Sequence, residues 1–325
     1  MSYLTRYGGY YGLLPQTTGN IYWVAPAASY TIYGPLGGRS YVASDGNDGL
    51  SPERALRTVD YAVGLTTANV GDVIVLLPGS HSISATIAVD VAGITITGVP
   101  RHAPLQSSRM NAGPAREYTR IVSTETAGIV FTVTAADVEI GYIHFDDIIN
   151  GQCVSVSNAA DRCYIHDCTF LLDTADSTST MGITFPLGTG TATANDDSIV
   201  RNCYFRSDSN TGPHIRAAGT VLGLMIENST FELRGDTALD DSIEITLAGS
   251  IGTKIRDCDW VQNVSGTVIT DCIEVTGLTT DGSTMIYRCY APAGSDLVEA
   301  SATPDAYAAE CYLATTTGGA LTGSA

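Results

Sequence analysis

A short motif that recurs from residue 140 onward constrains the fold more than any other feature of the chain. Each copy has an aliphatic residue, any residue, usually Asp or Asn, usually Cys, any residue, and usually an aromatic residue. The copies occupy residues 140–145, 165–170, 200–205, 226–231, 255–260, 286–291 and 308–313. Successive copies are 22 to 35 residues apart, which is typical of one coil of a solenoid.

The spacing inside the motif predicts a bend. In a straight strand the first and fourth positions face opposite sides, yet both are apolar here, so the chain must turn between them. Asp167, Asn202, Asn228 and Asp257 stand at that point, and Asp and Asn tolerate left-handed backbone angles. A further apolar strand precedes each motif, at residues 130–133, 153–156, 182–185, 214–217, 242–245, 272–275 and 297–300. We therefore predict an all-β, single-stranded right-handed parallel β-helix of about eight coils.

The fourth motif position is a column of cysteines, at Cys168, Cys203, Cys258, Cys289 and Cys311. None of the eight cysteines forms a CxxC pair, and small buried thiols suit a repeated inward position. Free, inward-facing thiols are the first interpretation, with disulfides and metal binding as the other two.

The first 40 residues differ from the rest in composition. Eight of the 17 tyrosines lie in the first 41 residues, and no Asp or Glu precedes Asp45. Tyrosine is favoured where a chain lies on another protein. We predict that residues 1–40 form an extended anchoring arm outside the solenoid. Its predicted assembly contacts are Tyr3, Arg6, Tyr7, Tyr10, Tyr11, Tyr22 and Trp23.

Residues 41–99 are predicted to form an N-terminal cap and first coil. Ser51 followed by Pro52 and Glu53 predicts the start of a short capping helix, with Ser51 as the N-cap. Residues 100–313 then form the β-helix, and residues 314–325 form a C-terminal tail.

The cap sequence resembles that of a known superfamily. The run YVASDGNDGLSP at residues 41–52, then Ala55, Thr58 and Ala62, then Gly71-Asp72 and Leu77-Pro78-Gly79, resembles the N-terminal cap of the pectate-lyase-like β-helix superfamily. The resemblance implies the β-helix fold. It also implies a choice among polysaccharide lyases, glycoside hydrolases, and phage tailspikes and particle fibres, because all of these belong to the superfamily. Lyases of this group use Lys or Arg as a base beside calcium-binding Asp residues, and Lys254 is the only lysine here.

The net charge of −18 limits the partners. Phosphate backbones repel such a surface, so we expect no nucleic-acid partner. The sequence contains no run of 18 or more apolar residues, so we expect no membrane span. The N-terminus lacks the pattern of a secretory signal. No cofactor is expected.

The strongest candidate for chemistry is a carboxylate ladder. Asp241-Ser-Ile-Glu244 aligns with Asp271-Cys-Ile-Glu274, and Asp296-Leu-Val-Glu299 follows one coil later, with Arg216 in the glutamate column one coil earlier. We expect the ladder to lie along one flank of the last coils. The preferred interpretation is a solvated acidic face, without catalysis or a metal. The other two are a cation site at Glu244, Glu274 and Glu299, and a catalytic carboxylate pair among Asp241, Glu244, Asp271 and Glu274.

Two other outward columns carry polar or aromatic residues. One contains His166, Arg201, Glu227, Arg256 and Tyr287, and its mixed charges favour a surface or subunit contact. The other contains Tyr204, Tyr290 and Tyr312, which are suited to stacking on sugar rings or, as the preferred interpretation, to packing against another subunit.

These features support two main functional hypotheses, and a cell-surface or filament subunit is a third, weaker one. The first is a structural protein of a bacteriophage virion, such as a capsid-decorating, fibre or spike protein. It would be anchored to other virion proteins by residues 1–40, lack enzymatic activity, form a homotrimer and assemble in the host cytoplasm. The second is a carbohydrate-active enzyme, either a polysaccharide lyase or a glycoside hydrolase, including a tailspike that cleaves a surface glycan.

Overall fold

Three long parallel sheets form the molecule. The computed structural model describes residues 17–34, 37–99, 118–123, 128–146, 151–172, 180–185, 195–208, 212–218, 221–234, 239–245, 252–262, 269–276, 284–300 and 306–313. Along each coil the chain passes through a strand of sheet I, a strand of sheet II and a strand of sheet III before it returns to sheet I. Each strand pairs in parallel with its equivalents one coil away, and this arrangement is the predicted right-handed parallel β-helix.

The strands of the three sheets have the following bounds. Sheet I contains Ile21–Val24, Val73–Leu76, Thr95–Gly98, Glu139–Gly141, Tyr164–His166, Ile199–Arg201, Met225–Glu227, Thr253–Arg256, Thr284–Tyr287 and Ala306–Ala309. Sheet II contains Gly79–Ile83, Thr119–Ser123, His144–Asp146, Thr169–Leu171, Tyr204–Ser207, Thr230–Leu233, Asp259–Gln262, Tyr290–Ala291 and Tyr312–Leu313. Sheet III contains Ile87–Val89, Ile129–Val133, Gln152–Val156, Met181–Phe185, Ile215–Ala217, Leu239–Ile245, Ile269–Val275 and Asp296–Ala300.

Two smaller pairs complete the strand list. Ser29–Gly34 and Gly37–Val42 form an antiparallel hairpin near the N-terminus. Asn195–Asp196 and Val221–Leu222 pair in parallel next to sheet I. Within the described part of the chain, no helix is long and apolar enough to cross a membrane.

The predicted bend separates sheet I from sheet II. Asp167, Asn202, Asn228 and Asp257 all have φ between 50° and 55°, which is the left-handed region that Asp and Asn tolerate. Tyr142, Arg288 and Glu310 adopt the same conformation in other coils. The bend turns both the first and the fourth motif positions into the core.

Aromatic side chains stack along the inside of sheet II. Phe145, Phe170, Phe205, Phe231 and Trp260 are fully buried, and neighbouring ring centroids are 4.6 to 5.1 Å apart. This distance matches the spacing of paired strands, about 4.8 Å. The repeated aromatic position of the motif therefore forms one continuous stack.

The cysteine column faces inward, as predicted. All eight cysteines are free, and all except Cys311 are buried. In the column, each thiol lies near the backbone carbonyl of an Ile one coil earlier; Cys168 Sγ, for example, is 3.8 Å from the Ile140 oxygen. Weak S–H···O contacts of this kind link one coil to the next.

Part of the predicted N-terminal arm belongs to the solenoid. Ile21–Val24 pairs in parallel with Val73–Leu76 as the first strand of sheet I. Tyr22 and Trp23, predicted as assembly contacts, are buried in the core, and this corrects the prediction for both residues. The other predicted contacts, Tyr3, Arg6, Tyr7, Tyr10 and Tyr11, lie outside the described residues.

The capping helix begins later than predicted. Residues Pro52–Arg54 form a single 3₁₀ turn, and the side chain of Ser51 makes no capping hydrogen bond. The α-helix spans Val59–Leu65, with Thr58 accepting a hydrogen bond from the Tyr61 amide. The chain is extended between the two because Leu56 exchanges backbone hydrogen bonds with Trp23 and Ala25.

Candidate functional site

The outward side of sheet III carries the predicted acidic ladder. Side chains alternate between the two faces of each strand. Ile243 and Ile273 are fully buried and face the core, so the glutamates next to them face outward. The strand register places Arg216 opposite Glu244, Glu244 opposite Glu274, and Glu274 opposite Glu299. The structure thus brings together the column predicted from the repeat, with neighbouring members about one strand spacing apart, ~4.8 Å.

A second acidic column runs beside the first. Asp241 pairs with Asp271, and Asp271 pairs with Asp296. Asp271 is buried, whereas Asp296 is exposed. Both columns therefore occupy the same three strands of sheet III, as predicted.

Glu244 has the most unusual environment in the ladder. Its side chain is only 14% exposed, and Arg216 Nε lies 3.0 Å from its Oε2 while the Arg216 side chain is 42% exposed. Burial raises the pKa of Glu244 above its usual value and Glu274 raises it further, although Arg216 opposes both effects. A carboxyl held in this way keeps its proton to higher pH than an ordinary glutamate.

Toward the N-terminus, the glutamate column continues with hydroxyl residues instead of charged ones. The residues equivalent to Arg216 in the three preceding strands are Thr184, Ser155 and Thr132. Ser155 and Thr184 are buried, and Thr184 donates a 2.6 Å hydrogen bond to the side-chain oxygen of Gln152. The column is therefore more exposed to solvent at Arg216 than at Ser155 and Thr184.

No group of three or more His, Cys, Asp and Glu side chains is arranged to hold a metal ion in the described part of the chain. The side chain of Glu299 lies outside that part. The predicted cation ladder therefore stays a prediction.

The mixed outward column on sheet I is confirmed, and its charges neutralise one another. Glu227 lies between Arg201 and Arg256 in the register. Its carboxylate is 3.2 Å from Arg201 Nε and 2.6 Å from Arg256 Nε. A buried carboxylate between two guanidinium groups is a structural ion-pair ladder rather than a reactive centre.

His166, in the same column, lies in a cluster that the sequence did not predict. Its two ring nitrogens are 2.9 Å from a Glu139 oxygen and 2.8 Å from an Asp167 oxygen, and its ring stacks on Tyr164 at 4.3 Å. Burial lowers the pKa of His166, but the hydrogen bonds to Asp167 and Glu139 outweigh it and raise the pKa to about 9. With both nitrogens occupied, this imidazolium is a structural cation and not a proton shuttle.

The ring of His166 needs the glycine beneath it. A Cβ added to Gly141 would lie 2.7 Å from the ring, which is closer than packed atoms approach. The pairing of a strand Glu-Ile-Gly with a strand Tyr-Ile-His in the next coil is the sequence signal that would have revealed this cluster.

Lys254 and the predicted tyrosine column lie on other sheets, whereas a buried histidine, His214, lies next to the strands that carry the ladder. Lys254 is exposed on sheet I, in the strand Thr253–Arg256. His214 is fully buried between the hydroxyls of Ser207 and Ser242, at 2.9 and 2.8 Å, and burial lowers its pKa to about 3. In the predicted tyrosine column, Tyr204 is buried, whereas Tyr290 and Tyr312 are exposed.

Comparison with solved structures identifies the architecture. Pectin methylesterase PemA from Erwinia chrysanthemi is similar with a TM-score of 0.56 and 12% identity, over 95% of this chain and 92% of that one. A rhamnogalacturonan lyase has a TM-score of 0.51 and 14% identity, over 87% and 73% of the two chains. An alginate lyase from Paenibacillus sp. str. FPU-7 has a TM-score of 0.50 and 15% identity, over 78% and 92%.

The chain has the pectate-lyase-like fold. This confirms the resemblance seen in the cap sequence. No protein-family model and no curated protein matches the chain, so the likeness is one of structure.

The comparisons correct the functional prediction. Pectin methylesterases and polysaccharide lyases are among the similar structures. This finding contradicts the first hypothesis, a virion structural protein without enzymatic activity.

Proposed function

We propose that the protein is a carbohydrate-active hydrolase whose active site is formed by Arg216, Glu244 and Glu274 on the outward side of sheet III. The observation that carries the proposal is the environment of Glu244. Burial and Glu274 together raise its pKa, and Glu274 is its direct neighbour in the register. A carboxyl that holds its proton tightly beside a second carboxyl is the arrangement that acid–base cleavage of a sugar linkage requires.

The geometry suggests a role for each residue. Glu244 is the general acid that protonates the leaving oxygen. Glu274 is the partner that attacks the sugar carbon or activates water. Adjacent strands place the Cα atoms of the two residues about 4.8 Å apart, so their side chains can bring the two carboxyls to the separation of roughly 5–5.5 Å found in retaining glycosidases. Cleavage with retention of configuration is therefore the expected outcome for a glycosidic bond.

An elimination mechanism fits less well. Lys254, the only lysine, is on sheet I rather than on the sheet that carries the ladder. Arg216 Nε lies 3.0 Å from Glu244 Oε2, and a guanidinium is not deprotonated in proteins, so it cannot act as a base. Hydrolysis is thus favoured over a lyase reaction.

A second candidate reaction is hydrolysis of an ester carried by a glycan. It is favoured by the guanidinium of Arg216 next to the carboxylate pair, because a fixed cation stabilises the oxyanion that forms during ester cleavage. The likeness to PemA, a pectin methylesterase, supports the same candidate. Both reactions use the same three residues.

The test is a screen of neutral, anionic and esterified polysaccharides, with new reducing ends and released methanol or acetate measured separately. We expect Glu244→Gln and Glu274→Gln each to lower kcat by about 10²–10⁴-fold, the usual contribution of a general acid or base. Glu53→Gln, the same change in the distant 3₁₀ turn, is the matched control and should retain full activity. Equal activity of all three folded variants would rule out the proposed site.

The pH profile adds an independent check. A general acid works only while protonated, so activity should fall as the pH rises through the raised pKa of Glu244. Removing the neighbouring charge lowers that pKa. Residual activity of Glu274→Gln should therefore be lost at a lower pH than activity of the wild type.

A further inference from the structure

Two exposed tyrosines stand side by side at the C-terminal end of sheet II. Tyr290 and Tyr312 are 44% and 53% exposed. They are register partners on the last two strands of the sheet, so their Cα atoms are separated by about one strand spacing, ~4.8 Å. Tyr204, in the same outward column three strands before Tyr290, is only 8% exposed.

Polar side chains surround this pair. Asp259 is exposed and is the register partner of Tyr290 on the preceding strand. In the adjoining bend, Arg288 is paired with Asp257 at 2.7 Å, and Glu310 is exposed two residues before Tyr312. Hydrogen-bond acceptors and a guanidinium donor therefore lie on the same strands and bends as the two rings.

This combination matches the chemistry of a sugar chain. Aromatic rings offer an apolar face to the C–H groups of a pyranose, while carboxylates accept from its hydroxyls and a guanidinium donates to them. Two rings one strand spacing apart match the length of about one sugar unit. We propose that Tyr290 and Tyr312 form a glycan-binding surface for a neutral polysaccharide, separate from the carboxylate site on sheet III.

The charges favour that occupant over others. Asp257, Asp259 and Glu310 outnumber Arg288, and the whole chain carries a net charge of −18. A second copy of the chain, an anionic polysaccharide or a nucleic acid would be repelled.

The experiment measures binding, not cleavage, and is therefore independent of the proposed active site. The full-length protein is run in native gels cast with hydroxyethyl cellulose, galactomannan or dextran, and in gels with polygalacturonate or alginate. We expect retardation by at least one neutral polymer and by neither anionic one. Tyr290→Ala/Tyr312→Ala should weaken binding about tenfold or more, corresponding to roughly 1.4 kcal/mol. Tyr290→Phe/Tyr312→Phe should bind nearly as well as the wild type, because the rings remain.

Two exposed side chains serve as matched controls. Met285→Ala removes a similarly exposed apolar group from sheet I in the same coil, and Tyr61→Ala removes an exposed tyrosine from the N-terminal helix. Neither should change binding. The proposal is overturned if no neutral polymer retards the wild type, or if the double alanine variant binds as well as the wild type. It is equally overturned if that variant changes the molecular mass measured by light scattering, because the tyrosines would then form a subunit contact.

Discussion

At the scale of single residues, His166 shows how the fold holds a charge that the sequence alone did not reveal. Its ring is almost enclosed, with carboxylates of Glu139 and Asp167 on its two nitrogens. The two hydrogen bonds raise the pKa to about 9 although burial opposes them. In the unfolded chain the same residue has an ordinary pKa of about 6.5, so its protonation is coupled to folding.

The direction of the pH effect follows from this difference. The folded state holds the proton more tightly, so the stabilising contribution is complete below about pH 6.5 and is lost as the pH rises through about 9. The difference between the two pKa values corresponds to roughly 3 kcal/mol. Urea unfolding at pH 6, 8 and 9.5 should show a wild-type decline over this range that His166→Gln lacks.

Glu139→Gln provides the second arm of this test. It leaves the histidine in place and removes one of its two anionic partners, which lowers the pKa of His166 in the folded state. The loss of stability should therefore still begin near pH 6.5 but be smaller, and be complete at a lower pH, than in the wild type. An identical pH dependence of the wild type and His166→Gln would show that the cluster does not hold a charged imidazole.

At the scale of the element, the coil shows why the repeat was informative. The first and fourth motif positions both had to be buried, and this forced the bend that Asn202 and Asn228 make with positive φ. The start of the helix was wrong for an equally local reason. Ser51 and Pro52 are ordinary helix-start residues, but Leu56 forms backbone hydrogen bonds with Trp23 and Ala25, and no pattern near residue 51 encodes that distant contact.

The cysteine column leads to a prediction about this element. Burial raises the pKa of Cys163 and Cys168 to about 12, so these thiols are protonated and shielded at neutral pH, and thiols react as thiolates. In the folded protein at pH 8, iodoacetamide should label the partly exposed Cys311 first and the buried thiols far more slowly. After denaturation without reductant, the intact mass should show eight alkylated cysteines. Each disulfide would instead leave two cysteines unlabelled, and even one would contradict the assignment.

At the scale of the whole molecule, the repeat predicted the register but not what covers each face. The columns of Glu244, Glu274 and Glu299 could be aligned because every coil has the same strand–bend–strand order. The burial of Ser155 and Thr184 could not be predicted, because the repeat determines which way a side chain faces but not what covers it. The burial of Tyr22 and Trp23 was missed for the same reason, since the motif does not extend to the N-terminus and composition alone suggested an arm.

The last prediction concerns that N-terminal end. A solenoid depends on its terminal coils to cover the core, and Ile21–Val24 provides the first strand of sheet I. The backbone N–H of Asn20 also donates a 2.6 Å hydrogen bond to the buried carboxylate of Asp72. A deletion of residues 1–24 exposes the strand Val73–Leu76 and removes the buried Trp23. We therefore expect it to cost about 3 kcal/mol or more relative to a deletion of residues 1–16.

The two deletions form a matched pair, because they differ only in residues 17–24. Hydrogen exchange should be faster in the shorter protein at Val73–Leu76 and Thr95–Gly98, and the effect should fade toward Thr284–Tyr287, because each coil contacts only its neighbours. Equal unfolding midpoints and equal exchange in both proteins would show that this segment is a dispensable arm, as its composition first suggested. Faster exchange confined to the first coils would show that the described fold begins with this segment.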